Sequence, residues 1–486
     1  MIAGYCWPQS VLAGETVGIF CHADAERYRV EIVRQGADDR KVFESPALTG
    51  VAQPLREDLS VKGCGWQASL ELKVDSDWPS GFYLVRMTDS DGVSAEAFFV
   101  VRSAEPADAM LVLATSTWSA YNDWGGPSFY TGSHTVSTQR PLLKGSLAKE
   151  DPARFRIALF EDLSSAELRQ HFVTEGHSEW SMAAGWANWE SLFVRWAEKQ
   201  GLTLGYAISQ DLDRDPDLLT GYPAYISVGH DEYWSSGMRD TVEGYVDSGG
   251  HAAFFSGNTS FWQARFTNDY TQVVCYKNAI GEDPAYRPDY APALSTMWCD
   301  PLLARPENQL TGVSFSRGGY AHMPNSPQGT GGYTVWRPAH WAFEGLELRA
   351  GDQLGCDGIA VGYECDGCEL ELRDGLPVAT GRDGTPEGFE VLATAPAHLW
   401  ETHEALPGLH ESYIGELNWV AERLGGGDTA ENRERFGLGR AVMGSFKQGR
   451  GEVFTSGCTD WAYALGEPAV ATVTRNVLDR FTATKG

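Results

Sequence analysis

The chain has few basic side chains for its length. It contains 38 Lys and Arg against 66 Asp and Glu in 486 residues, which gives a formal net charge of −28 at pH 7. So negative a surface repels the phosphates of nucleic acids and anionic lipids. We therefore expect neither a nucleic acid nor a membrane surface among its partners.

Long apolar runs are absent as well. No stretch approaches the roughly 18 apolar residues that cross a bilayer, and residues 1–8 lack the basic and apolar regions of a secretory signal. The nine cysteines are an odd number spread over a long chain, which fits reduced thiols better than a disulfide framework. We therefore expect a cytoplasmic protein.

Aromatic side chains, by contrast, are abundant. They make up 12% of the chain, with 17 Trp, 19 Tyr and 21 Phe. Such a surplus has to line a core, a pocket or an interface. It leaves open whether the chain forms a homo-oligomer.

Residues 1–105 have the pattern of an all-β region. Short β-branched or aromatic runs alternate with turns rich in Gly, Pro and Asp, which is typical of an antiparallel sandwich. At 103–108 the composition becomes polar and includes a proline, which indicates a domain boundary. The sequence predicts an immunoglobulin-like β-sandwich over 1–105.

Residues 106–486 are predicted to form one α/β catalytic domain. Apolar runs typical of buried strands fall at 110–114, 202–208, 224–228 and 251–255. Helical apolar spacing falls between them at 189–196 and 238–246, and again near the C-terminus at 470–481. This alternation predicts a doubly wound, Rossmann-like domain around a parallel sheet. From about 269 to 384 the periodicity gives way to Gly, Pro and Asp, which predicts a loop-rich insertion.

The fold class points to a few loops as the site. Open parallel sheets bind ligands beyond the carboxyl ends of their strands, and polar, aromatic loops follow the predicted strands at 115–126, 229–235 and 256–262. The sequence His230-Asp231-Glu232 offers an imidazole and two carboxylates, either as metal ligands or as an acid–base pair. The alternative is that the carboxylates only favour the N-terminus of the next helix. The turn holds no Cys or Ser, which disfavours a Cys–His glutaminase-type mechanism.

These loops resemble a known family. Residues 118–126, 229–235 and 254–258 resemble the large-subunit catalytic domain of N,N-dimethylformamidase, and 362–364 and 459–461 extend the likeness. The resemblance covers nearly the whole region after residue 108. It implies a glutamine-amidotransferase-like α/β fold without its cysteine. It also implies a mononuclear non-haem iron(III) held by two tyrosinates and one glutamate.

The resemblance assigns two of the three ligands. Glu232 is the carboxylate ligand and Tyr121 one of the two phenolates. Many relatives carry a tyrosine after an Arg-Pro pair, but here residues 140–142 are Arg-Pro-Leu. Among the tyrosines between Tyr121 and His230, Tyr130 is the choice for the second phenolate; the alternative is that this chain has lost that ligand. Phenolate and carboxylate are hard oxygen donors suited to a trivalent ion.

The resemblance also assigns catalytic residues, whereas the pocket is inferred from the side chains of the loops. His230 is either catalytic or a support for the ligands, and Glu364 is the catalytic carboxylate. Glu364 can take a proton from water or give one to the departing amine. A dry pocket for a small or N-alkylated amide is assigned to Trp118, Asn122, Trp124, Tyr233, Trp234, Asn258 and Trp262. Each aromatic member is equally consistent with ordinary core packing.

The predicted function is thus that of an iron-dependent amidohydrolase of the dimethylformamidase type. Such an enzyme hydrolyses the C–N bond of a linear amide that is not a peptide. One alternative is a non-catalytic carbohydrate-binding protein, which predicts no bound metal. The other is a zinc-dependent hydrolase that uses His230 and the two following carboxylates. The sequence leaves open the substrate and the need for a small partner subunit.

Overall fold

A computed structural model of the chain describes residues 1–287, 293–401 and 416–483. The chain divides into two compact units. The first unit is Met1–Pro152, Ser165–Tyr222 and Phe266–Val274, and the second is Ala153–Ser164, Pro223–Arg265 and Cys275–Gly486. This division differs from the boundary expected at residue 105, which stays a prediction.

Two sheets open the first unit. One has the strand order Ile2–Trp7, Thr16–Ala23 and Leu70–Lys73. The other has the order Ser10–Leu12, Ser94–Arg102, Gly81–Asp89, Arg27–Gln35 and Arg40–Glu44, and Leu48–Thr49 also pairs with Arg27–Gln35. Val17 and Ile19 of the smaller sheet and Val30, Val85 and Phe99 of the larger sheet belong to the same fully buried apolar cluster. The alternation of apolar and polar residues thus places one face of each sheet against a shared core.

The rest of the first unit mixes strands and helices. Strands Ala109–Leu113 and Leu204–Ile208 pair in parallel, with Ala109 opposite Leu204. Two short strands, Thr135–Ser137 and Gln272–Val274, pair antiparallel. The helices of this unit are Leu59–Lys62, Thr115–Tyr121, Ser165–Arg169, Glu190–Lys199 and Ser209–Arg214, with a π-helical turn at Gln170–Thr174 and a 3₁₀ turn at Glu179–Met182.

Seven consecutive strands of one large sheet lie at the centre of the second unit, in the part of the chain that the structure describes. Their order is Ala224–His230, His251–Gly257, Gly451–Thr455, Leu438–Gln448, Glu390–His398, Ser314–Ala321 and Tyr363–Gly367. The first three strands are parallel and the others pair antiparallel. Two of these strands, Ser314–Ala321 and Tyr363–Gly367, come from the stretch expected to be rich in loops.

Short strands and helices complete the second unit. The short strands are Tyr233–Trp234, Trp262–Gln263, Tyr333–Val335, Gln353–Leu354, Leu370–Arg373 and Leu376–Ala379. Of these, Tyr333–Val335 belongs to the large sheet, because it pairs with Glu390–His398 and with Gln353–Leu354. The short strand Arg265–Thr267 includes residues of both units. The α-helices are Ser236–Asp247, Asn308–Thr311, Glu416–Gly425, Ala430–Gly437 and Pro468–Thr482. Turns of 3₁₀ helix cover Ile157–Asp162, Ile280–Glu282, Trp341–Phe343 and Thr459–Gly466.

The helix after the third predicted strand shows why these elements form where they do. Its N-terminus is capped by Ser235, whose hydroxyl accepts the backbone N–H of Met238. Met238, Val242 and Val246 are buried along one face, and Gly249 follows the helix at φ +112°. None of the helices in the part of the chain that the structure describes is both long and apolar enough to cross a bilayer.

Candidate active site

The carboxyl ends of two parallel strands place the central residues of the second unit. Ala224–His230 pairs in parallel with His251–Gly257, and His230 lies opposite Gly257. The loops that follow are joined by backbone hydrogen bonds, from Ser260 N–H to the carbonyl of Asp231 (2.8 Å) and from Trp262 N–H to that of Glu232 (3.0 Å). Backbone hydrogen bonds therefore connect the two loops at which the site was predicted.

His230 and Glu364 form a buried pair. The Nε2 atom of His230 lies 2.6 Å from Oε2 of Glu364 and 3.3 Å from Oε2 of Glu232. The three side chains are 0%, 3% and 4% exposed, in that order. Three groups that can carry or accept a proton thus meet out of contact with bulk water.

The same contacts shift the pKa of both partners of the pair. Burial lowers the pKa of His230, but the carboxylates of Glu364 and Glu232 outweigh burial and raise it well above its ordinary value. Burial raises the pKa of Glu364, although its pairing with His230 opposes that change. Both shifts favour a proton held between the two side chains at neutral pH.

Asn258 fixes the orientation of Glu364. Its side-chain Nδ2 donates to Oε2 of Glu364 at 3.1 Å, the same oxygen that faces His230. Asn258 has φ +50°, and Tyr363, next to Glu364, has φ +58°. Left-handed backbone is costly for a residue as bulky as tyrosine, and such strain concentrates at functional sites.

Asp366 holds the Asn258 loop and was not singled out from the sequence. Its two carboxylate oxygens accept the backbone N–H groups of Asn258 (2.9 Å) and Thr259 (3.0 Å). Burial raises the pKa of Asp366 to about 8, against the effect of these two donors. The available signal was its position two residues after Glu364 on one strand, since alternate residues of a strand share a face.

Asp231 has a different set of contacts from its neighbours. Its Oδ2 accepts the hydroxyl of Ser227 at 2.7 Å, and Ser227 also contacts Ser256 at 2.9 Å. Burial raises the pKa of Asp231 to about 6. The structure therefore brings Glu232, but not the carboxylate of Asp231, within hydrogen-bonding reach of His230.

Lys277 is a second residue that sequence reasoning missed. Its Nζ lies 5.6 Å from the ring centroids of both Tyr233 and Trp262, which the sequence assigned to the pocket. Burial lowers the pKa of Lys277, while Glu232 and other carboxylates oppose this. The amine of Lys277 thus lies near two aromatic rings and interacts electrostatically with Glu232 and Glu364. No local motif marks this lysine.

Trp234, also assigned to the pocket, is fully buried. Its ring centroid lies 6.3 Å from that of Tyr225 and 6.5 Å from that of Phe254. Both neighbours lie on strands of the central sheet. These contacts are those of a core residue, and the pocket role of Trp234 stays a prediction.

In the first unit, Tyr121 and Tyr130 meet. The hydroxyl of Tyr130 donates to that of Tyr121 at 2.6 Å, and their rings stack with centroids 4.2 Å apart. Trp180 packs on both rings, with its ring centroid 6.1 Å from that of Tyr121 and 5.2 Å from that of Tyr130. The structure therefore brings together the two phenols that were assigned as ligands, nine residues apart in the chain.

The remaining predicted pocket residues of the first unit have structural contacts. Trp118 donates its Nε1–H to Glu190 (3.1 Å). Asn122 donates to the carbonyl of Pro141 (2.9 Å), and Trp124 lies edge-on to Trp66. The carbonyls of Asn122 and Trp124 accept the guanidinium of Arg140, a buried residue, at 2.5 and 3.0 Å. Hydrogen bonds from Arg140 and a ring contact with Trp66 thus stabilise the loop after Tyr121.

His230, at the carboxyl end of a parallel strand, forms a buried imidazole–carboxylate pair with Glu364, which lies on an antiparallel strand. Enzymes use pairs of this kind for proton transfer. Residues 26–474 match the family described as "N,N-dimethylformamidase beta subunit-like, C-terminal", and the chain belongs to that family. The match begins well before residue 108, where the resemblance in the sequence began. It therefore includes most of the β-rich N-terminal region.

Two curated proteins are similar to the chain. One is the N,N-dimethylformamidase beta subunit of Alcaligenes sp., 23% identical over 369 residues. The other is the N,N-dimethylformamidase beta subunit of Paracoccus aminophilus, 22% identical over 369 residues. Each alignment covers 69% of this chain and 45% of the relative. The chain thus spans about half the length of the curated relatives that it matches.

Proposed function

We propose that the chain is an amide hydrolase of the dimethylformamidase type that acts on a small or N-substituted amide. The observation that carries this proposal is the 2.6 Å contact between Nε2 of His230 and Oε2 of Glu364, with Asn258 donating to the same oxygen. The family membership and the names of the two relatives support it. We propose with it the doubly wound, glutamine-amidotransferase-like fold preceded by an immunoglobulin-like sandwich.

The reaction adds water across the C–N bond of the amide. In our proposal Glu364 accepts a proton from the water whose oxygen attacks the carbonyl carbon. The tetrahedral intermediate then collapses, the C–N bond breaks, and the nitrogen takes a proton from the His230–Glu364 pair. The products are a carboxylic acid and an amine, which exchange the last proton at neutral pH. Asn258 keeps Glu364 in one orientation during both transfers.

The chain also carries residues that suit an iron(III) ion. The phenol oxygens of Tyr121 and Tyr130 lie 2.6 Å apart, close enough for one ion to take both. Glu232 is a third hard oxygen donor and is buried. We propose that these three residues hold a single iron(III). A bound ion of this kind supplies Lewis acidity, which polarises an amide carbonyl and lowers the pKa of water.

The aromatic residues near Lys277 fit a small amide. Tyr233 and Trp262 are buried, and their ring centroids each lie 5.6 Å from Nζ of Lys277. An apolar wall tolerates N-alkyl groups, while the carbonyl needs only one polar partner. We propose that this wall selects N-alkylated over unsubstituted amides.

The relatives are named beta subunits. We therefore also propose that this chain works with a partner subunit. Light scattering on the purified chain, alone and after co-expression with candidate partners, tests this. A monomer of full activity would refute it.

The decisive experiment combines metal analysis with an amide-hydrolysis assay. We expect about one iron per chain, a broad visible band from tyrosinate-to-iron charge transfer, and release of amine from N,N-dimethylformamide or a related amide. Glu364→Gln should retain the iron and lose activity by about 10²–10⁴-fold. Glu371→Gln, an exposed carboxylate of the same unit, serves as control.

Three results would contradict the proposal. A colourless protein without iron would refute the metal site, and zinc in its place would favour the zinc-dependent alternative. Full activity of Glu364→Gln would refute the proposed acid–base role. An iron-loaded protein that hydrolyses no amide in a broad panel would refute the reaction class.

A further inference from the structure

A second group of metal-ligating side chains lies outside the residues used so far. One ligand atom from each of His171, Glu175 and His177 lies within 4.8 Å of the others. The two imidazole rings stack with centroids 3.9 Å apart and planes inclined by 19°. His171 is buried, 4% exposed, whereas Glu175 is exposed at the surface. All three belong to the first unit.

Local backbone structure brings these side chains together. Helix Ser165–Arg169 continues into the π-helical turn Gln170–Thr174, which contains His171. The N–H of His177 then returns to the carbonyl of His171 at 3.3 Å. Lys144 closes the turn by donating its ammonium to the carbonyl of Glu175 at 2.6 Å. Turns of the π type are rare and often occur at functional sites.

An open cavity lies beside this cluster. It has a volume of about 560 Å³, and His177 forms part of its wall together with Phe172 and Ser178 of the same segment. Trp124 and Lys144, also of the first unit, contribute to the lining. A cavity of this size is within the range that small-molecule sites occupy. A metal ion held at its wall would keep positions open toward the cavity.

We propose that His171, Glu175 and His177 form a site for a divalent transition-metal ion of the zinc class. Two imidazole nitrogens and one carboxylate oxygen are a donor set that zinc uses when it keeps a coordination position for an exchangeable ligand. The cavity provides room for that ligand. This site shares no residue with the three proposed iron ligands and does not depend on the proposed hydrolysis.

The charges around the cluster set the expected affinity. Lys144 and Lys149 both act electrostatically on His171, and their positive charge opposes the binding of a cation. The single carboxylate, Glu175, offsets only part of this charge. We therefore expect an exchangeable ion rather than one that stays bound through dialysis against a chelator.

Co²⁺ is a suitable probe, because it accepts zinc ligands and absorbs visible light. We titrate it into the full chain, previously loaded with iron, and follow the absorption of bound Co²⁺. The expected result is one Co²⁺ per chain, displaced by Zn²⁺. Glu175→Gln should weaken binding at least about tenfold, since even the loss of a residue that only supports a ligand costs 10–100-fold. His177→Gln should abolish it.

His322→Gln, which changes a half-buried histidine of the other unit, is the matched control and should bind as the wild type does. Because Glu175 is exposed, Glu175→Gln should fold normally and decides the outcome even where His177→Gln does not fold. The proposal is overturned if the iron-loaded wild-type protein binds no Co²⁺. It is equally overturned by Glu175→Gln binding Co²⁺ with wild-type affinity, which would place the ion elsewhere.

Discussion

The hydroxyl of Tyr130 lies 2.6 Å from the hydroxyl of Tyr121, and Trp180 packs against both rings. Tyr121 ends the helix Thr115–Tyr121, whereas Tyr130 lies in the loop beyond it. The hydrogen bond pairs the two buried phenol oxygens with each other. They are also the two phenols of the proposed iron(III) ligand set.

The first prediction concerns this pair. We expect Tyr130→Phe to lose most of the visible band of the iron-loaded protein, because one of two phenolates is removed, and Tyr121→Phe to behave in the same way. Iron content and the visible spectrum are the measurements. Tyr286→Phe, which changes an exposed tyrosine, should leave both unchanged. A Tyr130→Phe protein with the full band and full iron content would show that Tyr130 is not a ligand.

The second prediction separates His230 from the proposed ligands. We expect His230→Gln to lower kcat by about 10²–10⁴-fold, since general acid–base groups contribute this much, while the iron content stays at the wild-type level. Glu232→Gln should instead lose the iron. Parallel iron and kcat measurements on both variants make the comparison. Loss of iron from His230→Gln would assign the imidazole to the metal site.

The third prediction tests how Asp366 acts through Asn258. Asparagine at position 366 keeps the shape of the side chain but has only one oxygen for the N–H groups of Asn258 and Thr259. Asn258 should then shift relative to Glu364, and we expect kcat to fall about tenfold or more with little change in KM. The initial-rate kinetics of Asp366→Asn provide the measurement.

A double-mutant cycle supplies the control for that prediction. If Asp366 acts through Asn258, adding Asn258→Ala to Asp366→Asn should lower kcat far less than Asn258→Ala does in the wild type. Asp357→Asn, an exposed position, should have wild-type kinetics. Fully additive effects of the two substitutions would mean that Asp366 has a separate, purely structural role.

Much of the secondary structure could be predicted because its signal is local. The helical spacing at 189–196 and 238–246 corresponds to helices Glu190–Lys199 and Ser236–Asp247. The apolar runs at 110–114 and 224–228 correspond to strands Ala109–Leu113 and Ala224–His230. Each of these elements buries one apolar face or is fully buried, so its pattern in the sequence is strong.

The antiparallel part of the sheet could not be predicted in this way. Strand Tyr363–Gly367 is buried yet reads Tyr-Glu-Cys-Asp-Gly, with two carboxylates and a glycine among five residues. It pairs with Ser314–Ala321, where Tyr320 lies opposite Glu364. Residues that are this far apart in the sequence pair in space, and no local pattern in the sequence records such a pairing. The polar residues of this buried strand serve the candidate site, so the strand lacks the apolar pattern of a core strand.

The candidate site was predictable to the extent that its residues follow strands. His230 and Glu232 were found from the rule for strand ends, and Glu364 from the family resemblance. Asp366 and Lys277 were missed, because their significance comes from what they contact in space. Asp366 binds backbone N–H groups 107 and 108 residues away in the sequence. No motif encodes such a contact.

The last prediction concerns stability in acid. The carboxylate of Asp283 accepts both N–H groups of the Arg265 fork at 2.8 Å, the N–H of Ala285, and the N–H and hydroxyl of Ser295. Burial raises the pKa of Asp283, but these donors outweigh it and lower the pKa from 3.8 to about 2. The unfolded chain therefore takes up this proton at a higher pH than the folded chain does.

A depressed carboxyl pKa stabilises the folded state above the unfolded pKa, and this stabilisation is lost as the pH falls through the folded pKa. We expect Asp283→Asn to lower the free energy of unfolding by about 2 kcal/mol at neutral pH, the typical effect of losing hydrogen bonds to a charged group. The difference from the wild type should shrink between pH about 4 and about 2. Calorimetric melting temperatures across that range measure it, with Asp357→Asn as control. A difference that stays constant in acid would show that the charge of Asp283 contributes nothing to stability.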